Sequence, residues 1–288
     1  MRRGNRDALQ AQPTSPAACR RTDVIGIDAG ASTIRLWTRA AGITELATPL
    51  TAAEVGNERS DATAAVVDAP AHATVHGRRR LEAATASLNR GAPVLLMEAP
   101  LAAAAGADLD ITGTSPWVVL DVGVPGSEAS VLADGRVIDA VSCPVGCREI
   151  ERTVLSYLYR RHDVLAGPLA AWRALRSTSG FDIAHDTRTH TRINPDELTA
   201  DLYRPISAVV GAVRRVSQRA SVRMGKEVLD TTNVVVVGGG AFFPPLRAAL
   251  QEELATAVTA PVDPRHAIIR GLALFAAEAA RVPQLWDA

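Results

Sequence analysis

Short apolar runs that end on an acid or a glycine recur along this chain. Val24-Ile25-Gly26-Ile27 stops at Asp28, Ala64-Ala65-Val66-Val67 at Asp68, Trp117-Val118-Val119-Leu120 at Asp121, and Val234-Val235-Val236-Val237 at Gly238-Gly239-Gly240. Each reads as a buried strand delivered to a turn. The turn after Asp28, Ala29-Gly30-Ala31-Ser32-Thr33, returns into Ile34 to Trp37. The loop Asp121 to Glu128 returns through Ala129 to Leu132 before a turn at Asp134-Gly135. Val94 to Met97 reads as a further strand, followed by an Ala-rich helix over Leu101 to Ala105. Helical spacing marks Val75 to Asn89 and, at Ile150, Val154, Leu155 and Leu158, the segment 146–161. A long helix opens at Asn194 as cap, with Pro195 first and Glu197 third, and carries one apolar face with a kink at Pro205. Pro244 to Leu254 and His266 to Ala280 complete the helices, the last interrupted by Gly271. Residues 38–62 show little pattern, and 177–192 read as a polar irregular stretch. Strands alternating with helices, with hairpins at two acid-ended strands, indicate an α/β fold of two related lobes.

Composition removes several classes of function. With 31 basic and 31 acidic residues the net charge is zero, so no global field recommends nucleic acid. Three cysteines and no secretory leader point to a reducing cytoplasm. Cys143 and Cys147 lack a second ligand pair and read as small loop or buried thiols. His72 and His76 lack a third ligand and read as a solvated helix start. No apolar run is long enough to span a bilayer. Residues 1–22 read as a disordered tail whose Arg2, Arg3 and Arg6 have no apolar face beside them, so any membrane association is indirect.

The order of these turns resembles the actin superfamily, and within it the MreB/Mbl family of rod-shape-determining bacterial actins. Ile27-Asp28-Ala29-Gly30 resembles the family's Ile-Asp-Leu-Gly-Thr. Leu96-Met97-Glu98-Ala99-Pro100-Leu101-Ala102-Ala103-Ala104 is similar to its Leu-Ile-Glu-Glu-Pro-Met-Ala-Ala-Ala. Val145-Gly146 resembles the start of its Val-Gly-Gly-Asp, Val237-Gly238-Gly239-Gly240-Ala241 its adenosine motif, and Asp263-Pro264…Arg270-Gly271 its closing motif. The resemblance implies an actin-like ATPase fold with ATP and Mg²⁺ as cofactors. It assigns Asp28 and Asp121 to an indirect Mg²⁺ shell, and Gly30, Gly123, Gly146, Gly238, Gly239 and Gly240 to nucleotide binding.

The departures from the family pattern fall on the chemistry. Ala99 stands where the family's water-positioning Glu is expected, with Glu98 one residue earlier. Val124 and Pro125 replace glycines of the phosphate hairpin and Gly126 replaces its Thr, so a loop that cradles phosphate through backbone N–H groups contains a residue with none. Pro168, Trp172, Arg173 and Leu175 occupy the neighbourhood of the family's ribose and base contacts, and Trp172 reads either as core or as a side chain filling the adenine space. No confident catalytic residue remains.

The expected organisation is a first lobe over 23–115, closed by the C-terminal helix 264–288, and a second over 116–263 with a small helical subdomain about 168–232. The segment between Trp37 and Ala64 is too short for the family's upper subdomain of the first lobe. Three functions are weighed. One is a structural or regulatory partner in bacterial morphogenesis that docks on itself or on a full-length homologue. The second is an active ATP-dependent filament protein, and the third a superfamily small-molecule kinase.

Overall fold

The computed structural model describes residues 23–47, 62–88, 91–184, 190–229 and 232–286. The tail expected over 1–22 lies outside them. Two five-stranded mixed sheets form the frame. The first contains β1 (Val24–Ala29), β2 (Thr33–Thr38), β3 (Gly42–Ala47), β4 (Ala64–Ala69) and β5 (Val94–Glu98), in the order β3-β2-β1-β4-β5. The second contains β6 (Trp117–Val122), β7 (Ser127–Ala133), β8 (Arg136–Cys143), β11 (Val234–Gly238) and β12 (Val258–Thr259), in the order β12-β11-β6-β7-β8. Both sheets therefore use one plan: an antiparallel meander of three strands, then two strands added in parallel to the first. A duplicated α/β lobe is the architecture expected of an actin-like fold.

Seven α-helices cover these sheets among the described residues: α1 (Val75–Leu88), α2 (Ala99–Gly106), α3 (Cys147–His162), α4 (Pro168–Arg176), α5 (Pro195–Met224), α6 (Pro244–Leu254) and α7 (Ala267–Ala279). The long α5 begins in the capping box read from its sequence, Asn194 N–H donating to Glu197 Oε1 at 2.9 Å, and ends at Gly225 in the left-handed region (φ 66°). Pro205 lies inside it without ending it. Val154, Leu158, Val209 and Val213 of α3 and α5 share one core with Val118, Leu120 and Val131 of the second sheet. The two lobes diverge in their insertions. Only residues 48–63 connect β3 to β4, whereas the equivalent connection from β8 to β11 contains α3, α4, α5 and a two-stranded hairpin.

That hairpin, β9 (Phe181–Ala184) with β10 (His190–Ile193), replaces the irregular stretch expected over 177–192. Ile183 and Ile193 are its buried positions, and two apolar residues among so many polar ones leave a weak periodic signal. β3 falls in the low-pattern segment for a similar reason: among the described residues it is an edge strand that pairs with β2 alone.

Helices α2 and α7 lie between the two sheets. Ala102, Ile269, Leu272 and Ala276 pack on Val24, Ala64 and Val66 of the first sheet, while Ala103, Ala104 and Ala267 pack on Val119, Val235 and Val237 of the second. Their crossing requires glycine on both sides. A Cβ at Gly106 would come within 1.8 Å of the Ala267 carbonyl oxygen, and one at Gly271 within 1.8 Å of that of Ala102. Gly271 thus does not interrupt the last helix; it lets that helix touch its partner. Gly271→Ala is expected to lower the stability of the folded chain by about 1–3 kcal/mol in urea unfolding, because rigid backbone must shift. Gly167→Ala, whose Cβ would meet nothing within 4 Å, should change it by less than about 0.5 kcal/mol.

Candidate functional site

The acid-ended strands converge on a cleft of about 640 Å³ between the two sheets. β1 and β4 run parallel with Ile27 opposite Val67, so Asp28 and Asp68 emerge side by side at the strand ends. Asp121 ends β6 on the facing wall, opposite Glu128 of β7. Asp68, buried, accepts the Ala29 N–H at 2.7 Å and so fixes the turn that follows β1. Burial, with Asp28 and Asp121 nearby, pushes the Asp68 carboxyl up to about 8. Burial first, then Asp28 and Glu128, push Asp121 to about 7.

One cation is fixed among these acids. The antiparallel registers place Arg35 of β2 opposite Asp28 on one side and Glu45 of β3 on the other. Its Nη1 donates to Asp28 Oδ2 at 3.0 Å and its Nε to Glu45 Oε1 at 2.9 Å. Burial still lifts Asp28 above the ordinary carboxylate range, although Arg35 opposes the shift. Glu45 also accepts from His266 Nε2 at 2.8 Å, and His266 Nδ1 meets Asp263 at 2.5 Å. Arg35 and His266 together outweigh partial burial and hold Glu45 below its usual range.

A second link joins the walls of the cleft. Glu128 accepts the Ala71 N–H at 3.1 Å and the His72 N–H at 3.4 Å, and also meets the His72 ring. His72 is therefore an inter-lobe contact and not part of a solvated helix start.

The phosphate-type hairpin is folded onto its own lobe. Gly123 N–H donates to Gly126 O at 3.0 Å, and the N–H groups of Cys147 and Arg148 donate to Gly123 O and Val124 O. Gly146 packs against it so closely that a Cβ would sit 2.4 Å from Gly123 O and 2.6 Å from Gly126 N. Across the cleft floor, Gly238 (φ 78°) has no room for a side chain beside Asp121 Oδ1, 2.4 Å from a Cβ there. Over Gly239 lie Cys147 Sγ and the Trp172 ring, 3.2 and 3.4 Å from a Cβ at that position. Trp172 also meets Phe243 edge to face at 5.0 Å and bonds Glu151. Burial raises the Cys147 thiol to about 12, which keeps it an inert packing group.

Of the anticipated residues, Asp28, Gly30, Asp121, Gly123, Gly126, Gly238, Gly239 and Ala99 line the cleft. Gly146 stands behind the hairpin, and Gly240 is buried against Val122. Glu98 does not line it; its carboxylate takes Arg78 Nη2 at 3.0 Å instead. Sequence reasoning missed Arg35, Asp68 and Glu128. Asp68 carried the same signal as Asp28, an acid closing a buried strand. Arg35 and Glu128 become visible only through cross-strand register, each lying opposite an acid it was not known to face.

The model for MreB/Mbl protein matches residues 44–284. The chain belongs to the MreB/Mbl family. Cell shape-determining protein MreB of Escherichia coli K12 is 24% identical over 192 residues, covering 62% of this chain and 55% of that protein. MreB of Haemophilus influenzae is 25% identical over 234 residues, covering 75% and 66%. The chain thus spans little more than half the length of the first of these relatives. Among solved structures, MreB5 of Spiroplasma citri bound to AMPPNP has a TM-score of 0.74 at 14% identity, over 91% of this chain and 98% of that one. A MamK double helical filament reaches 0.68 at 14% identity, over 88% and 98%. These likenesses show the actin-like fold.

Of the two acids that the resemblance assigns to an indirect Mg²⁺ shell, Asp28 already holds a guanidinium, which suits that ion poorly, and Asp121 faces Glu128; among the described residues no three His, Cys, Asp or Glu side chains are grouped to hold a metal ion directly. No described helix is long and apolar enough to cross a membrane.

The acid cluster sets a pH dependence of stability. Asp68 and Asp121 have folded values raised above an unfolded value near 3.8. Their contribution is full below about pH 4 and is lost as pH rises through about 7 and 8. The thermal midpoint of the unliganded protein should therefore fall between about pH 5 and 8, and Asp68→Asn with Asp121→Asn should flatten that slope. A midpoint that climbs over this window in wild type would contradict the charge assignment.

Proposed function

We propose that this chain is an actin-like protein of bacterial cell shape and wall morphogenesis, cytoplasmic, and a structural or regulatory partner more than an efficient ATPase. Its partner is a second copy or a full-length homologue, and the MamK filament, which shares its fold, supports self-association. The observation that carries this reading is the hairpin Gly123–Gly126. Its Gly123 N–H is already bonded within the loop and Pro125 has no N–H, so the donors that would receive phosphate are reduced, and Val124 adds a side chain where a glycine is expected. The position of the attacking water supports the same reading. Ala99 lines the cleft there without an acid, and Glu98 is held by Arg78.

A second reading, an active nucleotide-binding filament protein, has one specific support. The Gly238-Gly239 turn lines the cleft, and the MreB5 structure that shares this fold is bound to AMPPNP. Trp172 separates the two readings, since its ring lies over Gly239 of that turn.

Calorimetric titration with ATP, in Mg²⁺ and in EDTA, tests the choice. The first reading expects no magnesium-dependent heat at millimolar ATP and phosphate release at background. The triple substitution Ala99→Glu, Val124→Gly, Pro125→Gly should raise release by about a hundredfold, the lower range for a restored general base or cradle. Micromolar, magnesium-dependent binding with turnover in wild type would sink it.

A further inference from the structure

The carboxylate cluster and Arg35 together define a cation site whose cation is part of the chain. Asp28, Asp68 and Asp121 line one cleft, with Glu128 opposite Asp121, and of the three aspartates it is Asp28 that is bonded to a cation, Arg35. In the first lobe the cross-strand partner of the acid that ends the first strand is Arg35. In the second lobe the equivalent partner is another acid, Glu128. The Arg35 guanidinium thus sits on the first-lobe wall, 3.0 Å from Asp28, with its own side chain only 14% exposed.

Its orientation is fixed from behind. Glu45 accepts Arg35 Nε and is itself held by His266, which is held by Asp263, so the guanidinium is the inner end of a chain of charged hydrogen bonds running out to the connection between β12 and α7. Arg265 is the other arginine that lines the cleft. Arginine remains charged at any physiological pH and loses no translational freedom when it binds, which a free ion must do. A divalent ion at Asp28 would compete with Arg35 for the carboxylate, and displacing the guanidinium would leave a largely buried cation without its partner.

We propose that Arg35 is a tethered cation standing where the carboxylates of this cleft would otherwise take a divalent metal, so that the folded chain neither requires nor binds Mg²⁺ or Mn²⁺ there. This goes beyond the reading of a weak ATPase: it concerns the metal alone and holds whether or not nucleotide enters. It also assigns a role to Glu45 and His266 as positioning residues for the guanidinium.

Mn²⁺ titration of the full chain, followed by the loss of the free-ion electron paramagnetic resonance signal, tests it without nucleotide. Wild type should show no site below about millimolar Mn²⁺, and its melting curve should be the same in Mg²⁺ and in EDTA. Arg35→Gln should gain a site at least about tenfold tighter, the scale on which a neighbouring side chain tunes metal affinity. Arg35→Gln with Asp28→Asn should lose that site again. A wild-type site that disappears with Asp28→Asn would overturn the proposal, as would a folded Arg35→Gln protein that takes no Mn²⁺. If Arg35→Gln fails to fold, the wild-type and Asp28→Asn titrations decide alone. Wild type that binds ATP but no Mn²⁺ would count against the weak-ATPase reading and leave this inference standing.

Discussion

Where α2 crosses α7, Gly106 lies against the carbonyl of Ala267 and Gly271 against that of Ala102, backbone on backbone. This contact sets the distance between the two sheets, because each helix packs on both of them at once. The distance between sheets in turn brings the end of β1 within electrostatic range of the end of β6, so that Asp28, Asp68 and Asp121 perturb one another. A methyl group at either glycine would separate the walls of the cleft as well as weaken a core. The alanines that follow Pro100 have the same purpose: small side chains let the helix lie in a narrow gap between sheets.

On that frame the cleft satisfies its own charges. Arg35 neutralises Asp28, Glu128 takes the Ala71 and His72 amides across the gap, the hairpin closes on Gly146, and Trp172 lies over Gly239. In a nucleotide-driven two-lobe protein, bridging phosphates supply the free energy that draws the lobes together. Here side chains of the two lobes already meet, which leaves a nucleotide less to contribute.

Much of this was legible beforehand for a physical reason. Buried parallel strands such as β1, β4, β6 and β11 read as unbroken apolar runs, and the acids that end them mark where the strands meet solvent. The capping box at Asn194 announced α5 to the residue. What stayed hidden depends on pairing. β3, β9, β10 and β12 are short edge or hairpin strands with few buried positions, and the partners of Arg35 and Glu128 are set by register, which a single sequence does not display. Gly271 looked like a break in a helix because the backbone it touches, at Ala102, lies 169 positions earlier in the chain.

If the protein's own contacts hold the two lobes together, the distance between them is the same with and without nucleotide. Spin labels at Glu82→Cys on α1 and Glu252→Cys on α6, both exposed, would report the inter-lobe distance by double electron–electron resonance. One narrow distance is expected, unchanged by ATP and Mg²⁺ and broadened in Glu128→Gln. A broad distribution in the unliganded protein that narrows only when ATP and Mg²⁺ are added would contradict it.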